Sequence, residues 1–136
     1  MKRVVVDTNI VFSILLKNKS RERDFLFLSD NVEFLTCRFM FIELFKYKNK
    51  IVKYSHLTEN EILSILYDIS KIIEFYNEDL ISDNSRAKAF ELCKDIDEKD
   101  TPFVALSLEL NAYLWTGDKK LINGLKSKGF DKFISI

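Results

Sequence analysis

A chain of 136 residues that is 47% apolar, with twelve Phe and only three Gly and one Pro, has the length of about one domain and can bury a core without staples. Its 21 basic and 21 acidic residues cancel, which excludes the sequence-independent grip on polyanions of a strongly basic protein, so any nucleic acid must be held by local cations. No apolar stretch is long enough for a membrane span, and the run after Met1-Lys2-Arg3 is cut by Asp7 well short of a signal-peptide core.

Cys37 and Cys93 lie in apolar contexts with no Cys-x-x-Cys and no neighbouring His. Reduced structural thiols in a cytoplasmic protein, and no zinc site, are therefore expected.

In chain order, Val4-Val5-Val6 is a β-branched run that reads as a fully buried strand, and it ends abruptly in Asp7-Thr8-Asn9. Either polar side chain can cap the turn that follows, and Ile10, Val11, Ile14 and Leu15 recur at helical spacing to about Lys17. Arg21 to Ser29 reads as a second helix burying Phe25, Leu26 and Leu28, and Val32 to Thr36 as a second strand. Phe39 to Phe45 is apolar nearly all round and becomes Lys-rich from Lys46 to Lys53, which predicts one helix buried at its start and solvated at its end.

Thr58-Glu59-Asn60-Glu61 fits a capping box with Leu57 and Ile62 as staple, opening a helix through Ile69. Ile72 to Tyr76 is a third strand or that helix's tail. Ser82 or Asp83 starts a helix to about Lys94, an acidic loop covers Asp95 to Asp100, and Thr101-Pro102 opens a helix that Asn111 ends. Ala112 to Trp115 is a strand closed by Thr116-Gly117-Asp118, followed by a helix from Lys119 to Lys126 and, after Gly129, an edge strand from Lys132 to Ile136. Strands alternating with helices, without hairpin signals, predict a single α/β domain over residues 1–136: three layers, α/β/α, around a parallel sheet of four to five strands with right-handed crossovers.

Ligands of such sheets bind beyond the carboxyl ends of the strands, where Asp7 and Asp118 both emerge. Either aspartate could equally be a helix N-cap. Glu43, set among Met40, Phe41, Ile42, Leu44 and Phe45, needs a partner if buried. Arg38 or Lys46 supplies it, or the carboxylate faces the crevice and a metal. Asp100 directly precedes the Pro102 helix and is a third candidate, with Asp97 a fourth; Asp95 and Glu98 read as solvated.

Carboxylates brought together repel by about 4 kcal/mol per pair at ~4 Å and an effective dielectric near 20. Such a cluster asks for a cation, and oxygen ligands without Cys or paired His select Mg²⁺ or Mn²⁺, one or two ions, suited to phosphodiester hydrolysis. His56, the single histidine, lies away from any acid and reads as a surface residue.

The ordered set Val-Val-Val-Asp7-Thr-Asn, Phe-Ile-Glu43-Leu, Asp97-Glu-Lys-Asp100-Thr-Pro-Phe-Val-Ala-Leu and Trp-Thr116-Gly-Asp118-Lys-Lys-Leu resembles that of the PIN-domain metal-dependent nucleases. The resemblance implies a single-stranded RNA endonuclease using Mg²⁺ or Mn²⁺, with Asp7, Glu43, Asp100 and Asp118 as the acidic set and Asn9 and Thr116 in support. Many small stand-alone members are VapC-like toxins of toxin–antitoxin pairs, so an antitoxin protein, and a second copy of the chain in a homodimer, are partners to expect beside RNA.

Lys46, Lys48, Lys50 and Lys53, with Lys119 and Lys120 beside Asp118, are the local cations available to RNA. A receiver-domain site fits worse, for want of paired acids after the first strand and a central phospho-acceptor strand. An Asp-x-Asp phosphatase fails at Asn9. The alternative to an enzyme is a catalytically idle PIN-like module that binds RNA or a protein.

Overall fold

The computed structural model describes residues 1–136. Four strands form its centre: β1 (Lys2–Val6), β2 (Val32–Cys37), β3 (Ile73–Tyr76) and β4 (Tyr113–Trp115). They make one all-parallel sheet in the order β3-β2-β1-β4. Val4 and Val5 pair with Phe34 and Leu35 on one side, and Val6 pairs with Trp115 on the other. Successive valines point to opposite faces of a strand, yet none of the three is exposed, so both faces are covered, the α/β/α arrangement.

The covering helices are α1 (Thr8–Leu16), α2 (Arg21–Leu28), α3 (Phe39–Lys46), α4 (Lys48–Tyr54), α5 (Glu59–Ile72), α6 (Asp83–Cys93), α7 (Thr101–Leu110) and α8 (Lys119–Ser127). α7, whose Phe103 to Ser107 are all buried, lies against β1, β2 and β4 and is backed by α6, while α1 gathers α2, α3, α4 and α5 about itself. Phe25 stands edge-on to both Phe34 and Trp115, with centroids 5.6 and 5.0 Å apart. Each such pair adds about 0.5–1.5 kcal/mol beyond its burial, here tying α2 to strands on both sides of β1.

The chain adds β2 and β3 on one side of β1 and returns with β4 on the other. The crevice between the carboxyl ends of β1 and β4 is therefore the topological switch point, the ligand position of this architecture.

Several elements differ from the sequence expectation. No fifth strand forms over Lys132 to Ile136: a turn donates Phe133 N–H to Asp131 O at 3.0 Å, and the chain meets the short β4 edge at one bridge, Leu114 to Phe133. The helix expected from Phe39 to Lys53 is two, interrupted at Tyr47, whose ring stands edge-on to Phe12. Ile73 to Tyr76 is strand, following α5 with no intervening loop.

α3 is not buried at its start. Only Met40 is fully buried; Phe41, Ile42 and Phe45 are exposed, Phe45 by 79%. α3 instead walls an apolar groove of about 490 Å³ shared with α4 and α5, lined by Leu44, Phe45, Ile51, Ile62 and Leu66 among others. Leu28, also expected in the core, is exposed. No helix is long and apolar enough to cross a membrane.

Candidate active site

The switch-point crevice begins with β1 delivering Asp7. Its backbone N–H donates to Trp115 O at 3.0 Å, extending the β1–β4 ladder to the last residue before α1. Neither Thr8 nor Asn9 caps α1, contrary to expectation: the helix starts at Thr8, with Asp7 at the cap position but making no cap bond through its side chain. Instead Thr116 Oγ1–H donates to Asp7 Oδ2 at 2.8 Å. Asp7 is only 4% exposed. Burial pushes its carboxyl up to about 6 and Glu43 adds to the shift, while the Thr116 hydrogen bond and the nearby N–H groups of Thr8 and Asn9 oppose it.

Asn9 and Thr116 form the bracket around that contact. Thr116 Oγ1 accepts from Asn9 Nδ2 at 3.1 Å and from the Asp118 N–H at 3.2 Å, while Asn9 Oδ1 accepts from the Gly117 N–H at 3.1 Å. The ends of β1 and β4 are thus cross-linked by side chains as well as by the sheet.

Glu43 is half-buried, and its hydrogen-bond partner is neither Arg38 nor Lys46. Thr8, 1% exposed, donates its hydroxyl to Glu43 Oε1 at 2.7 Å, fastening α3 to the first residue of α1. Desolvation raises the Glu43 pKa, with Thr8, Lys99 and Lys46 pulling down and Asp97 pushing up. In the sequence Thr8 reads only as a possible cap, and Lys99 carries no signal of its own. Thr8 stands within Asp7-Thr8-Asn9, so the motif held the signal; Lys99 lies in an acidic run, where a lone lysine reads as solvated.

Asp118 caps α8, accepting the Leu121 N–H on Oδ1 at 3.1 Å. The exposed Asp97 caps a single 3₁₀ turn, Glu98–Asp100, through the Lys99 N–H at 3.0 Å, so the predicted loop is a capped turn feeding α7. α8 approaches the turn that follows α6 closely because Gly124 lacks a side chain: a Cβ there would lie 2.5 Å from Ile96 Cδ1.

Asp100 makes no cap bond, and its Oδ2 is buried without a hydrogen-bond partner. Its carboxyl is pushed up to about 7 by desolvation and by the negative charges of Asp7, Asp97, Asp118 and Glu43. All the predicted acids therefore lie around Asp100. No three of them, however, converge closely enough to share an ion. Asp7 is held by Thr116, Glu43 by Thr8, and Asp97 and Asp118 each commit one oxygen to a cap, while mutual repulsion discourages closer approach.

Lys46 lies one turn beyond Glu43, and Lys119 and Lys120 open α8 beside Asp118; all three are exposed. His56 is exposed, as expected. Cys37 and Cys93 are both buried and unpaired; the Cys37 thiol donates to Pro102 O at 3.2 Å.

A parallel sheet with acidic side chains gathered at its switch point matches more than one enzyme class. Residues 5–134 match the family model described as PIN domain. The chain belongs to the PIN-domain family. No curated protein matches the chain. PIN domains are generally nucleases that use divalent metal ions. The donor chemistry here suits that habit: every candidate ligand is an oxygen, and the orphaned Asp100 Oδ2 lacks the proton donor or cation a buried carboxylate needs.

Proposed function

We propose that this PIN domain, residues 1–136 taken as one domain, is a Mg²⁺- or Mn²⁺-dependent endoribonuclease of the cytoplasm that hydrolyses phosphodiester bonds in single-stranded or loop RNA. The observation that carries the reading is Asp100, whose buried Oδ2 has no partner while Asp7, Asp97, Asp118 and Glu43 crowd it with negative charge. A stable fold would ordinarily place a proton donor or a cation there.

Asp7, Glu43, Asp100 and Asp118 are the residues that would hold one or two ions, with Asp97 at the margin. Such an ion supplies charge neutralisation and an activated water for the displacement at phosphorus. Thr116 orients the Asp7 carboxylate and Thr8 orients that of Glu43, so both stay aimed while the substrate enters. Asn9 fixes Thr116 and the Gly117 backbone. Lys46, Lys119 and Lys120 hold the phosphates flanking the scissile bond. As the toxin of a type II pair, the chain would bury the exposed Phe41, Ile42 and Phe45 of α3 against an antitoxin or a second copy.

A second reading, an RNA- or protein-binding module without catalysis, has one observation in its favour: the acids stand too far apart for three to share an ion. Cleavage of a loop-rich RNA in Mn²⁺ separates the two. The wild type should cut, and Asp7→Asn and Glu43→Gln, each shown by melting to be folded, should cut slower by on the order of 100-fold or more, at or beyond the upper end of the 10–100-fold typical of losing an outer-shell partner. Mn²⁺ should also raise the wild-type melting temperature more than that of either variant. Binding without cleavage on every RNA tried, with no response to Mn²⁺, would establish the idle module.

A further inference from the structure

Two helical segments leave the site together. The Thr8–Glu43 hydrogen bond, 2.7 Å, joins α1 to α3. Four residues further along each, Phe12 and Tyr47 meet edge to face with centroids 5.7 Å apart. Near the ends, Ser55 Oγ–H donates to Leu15 O at 2.6 Å and His56 N–H to Leu16 O at 3.0 Å. Residues four apart share a helix face, so α1 and α3–α4 run side by side in the same direction. Between them lies a furrow of about 280 Å³ lined by Phe12, Leu16, Tyr47, Lys50, Ile51 and Tyr54. It starts one turn from Glu43.

The furrow's edge is unusually charged for a neutral chain. Residues 46–54 contain Lys46, Lys48, Lys50 and Lys53 and no acid, and neither ion pair of the protein uses any of them. Lys46 and Lys50 both lie over the Tyr47 ring, at 5.5 and 5.7 Å, and Lys53 lies over Tyr54 at 5.3 Å. Lys50 and Lys53 lie three apart on α4, neighbours on the helix surface where like charges repel, so this edge gains from an anion laid along it. Tyr54 is 64% exposed, with ring surface left for a planar ligand.

We infer that this furrow is a subsite for one strand of RNA leading away from the scissile bond, with unpaired bases resting on Tyr47 and Tyr54 and phosphates between Lys46, Lys50 and Lys53. The inference rests on the nuclease reading for its ligand. Alternating rings and cations, repeated by helical turns of about 5.4 Å, suit a chain that repeats a flat base and a phosphate at every step. An acidic polypeptide offers the charge without the stacking surface. A duplex offers phosphates but no free base faces.

The test is the affinity of a labelled 2′-O-methyl oligouridylate, resistant to cleavage, measured in chelator over a range of salt. Tyr54→Ala removes an exposed ring and should weaken binding roughly 5- to 100-fold while leaving the salt slope alone. Lys50→Gln with Lys53→Gln should lower the slope by about 1.4, at 0.7 per phosphate contact. An abasic strand of equal phosphate count and a matched duplex should be indifferent to Tyr54→Ala.

Variants that bind the oligouridylate like the wild type, or a wild type that does not bind it, overturn the subsite. So does a loss in Tyr54→Ala that appears equally with the abasic strand, the duplex or polyglutamate. Cleavage of RNA in Mn²⁺ by a wild type whose variants bind unchanged removes the furrow and leaves the nuclease. Tyr54-dependent binding without any cleavage does the reverse.

Discussion

Asp7 and Asp118 look alike in the sequence, each the acid that follows a buried strand and precedes a helix, and the structure gives them opposite duties. Asp118 caps α8 through the Leu121 N–H, as a residue at that position ordinarily does. Asp7 holds the same position before α1 and leaves it uncapped; its carboxylate takes the Thr116 hydroxyl and is almost wholly withdrawn from water. One carboxylate works for its helix, the other at the expense of the fold. A carboxylate kept where burial opposes its charge marks a place where something other than stability is served.

The largest effect that can test this contrast is the response of the metal-free protein to pH. In the unfolded chain Asp7 titrates near its ordinary 3.8; in the folded protein it titrates at about 6. Below the lower value both states are protonated and the shift costs nothing. Between the two the folded protein holds the proton that the unfolded chain has released, so stability falls as pH rises, and the penalty is complete above the folded value. At 1.36 kcal/mol per unit, Asp7 alone contributes a fall of about 3 kcal/mol between roughly pH 4 and 7. Asp100, pushed to about 7, steepens and extends the same fall. Urea unfolding in chelator should show this slope, flattened in Asp7→Asn and flattened in the wild type by Mn²⁺. A flat wild-type profile would mean that Asp7 and Asp118 differ less than their contacts suggest.

Much of this was legible before the structure. A triple-valine strand, a capping box at Thr58 and a proline at the start of α7 each carry a local physical signature, and each fell where expected. The acids at the strand ends follow from the parallel sheet. What sequence hid is what depends on which neighbour arrives. Phe41, Ile42 and Phe45 have the composition of a core, but whether they are covered is decided by the neighbours that α3 meets, α1 and α4, and these leave all three exposed.

By sequence Glu43 needs a partner, and the charged candidates nearest to it are Arg38 and Lys46. Its actual hydrogen bond comes from Thr8, thirty-five residues away. Lys132 to Ile136 has strand-forming residues but meets only a three-residue edge, which propensity does not report.

The two hydroxyls that hold the acids sharpen the contrast at the next scale. Thr116 serves Asp7 and receives the Asp118 N–H, so it bridges the two halves, whereas Thr8 serves Glu43 alone. Thr8→Val keeps the shape of a residue 1% exposed and leaves half-buried Glu43 free to turn toward water. Mn²⁺ affinity measured by calorimetry should drop 10–100-fold, with little change in metal-free melting and recovery in Thr8→Ser. Thr116→Val should produce a similar drop together with lower stability, since it also strands the Asn9 amide. Equal Mn²⁺ affinity in Thr8→Val and wild type would show that Glu43 needs no support, and would weaken its claim as a ligand.

The smallest effect isolates the cap itself. Asp118→Ala removes the acceptor for the Leu121 N–H, a change that costs about 0.5–2 kcal/mol at helix N-caps. It also removes one of the negative charges that raise the Asp100 carboxyl, and that relief offsets part of the loss when the metal-free protein is unfolded near neutral pH. Asp118→Asn makes the same electrostatic change and keeps a capping side chain, so the difference between the Ala and Asn variants reads the cap free of the charge. That difference should be about 1 kcal/mol. At Asp7 the side chain makes no N-cap hydrogen bond, so the corresponding difference reports instead its contacts with Thr116 and with the nearby N–H groups of Thr8 and Asn9 and the volume lost at a buried position. Asp7→Asn should be more stable than wild type above about pH 6, while Asp118→Asn, relieving the cluster from its rim, gains less. Equal gains in the two Asn variants at neutral pH would place the two carboxylates in equivalent settings, and the division of labour between β1 and β4 would fall with that result.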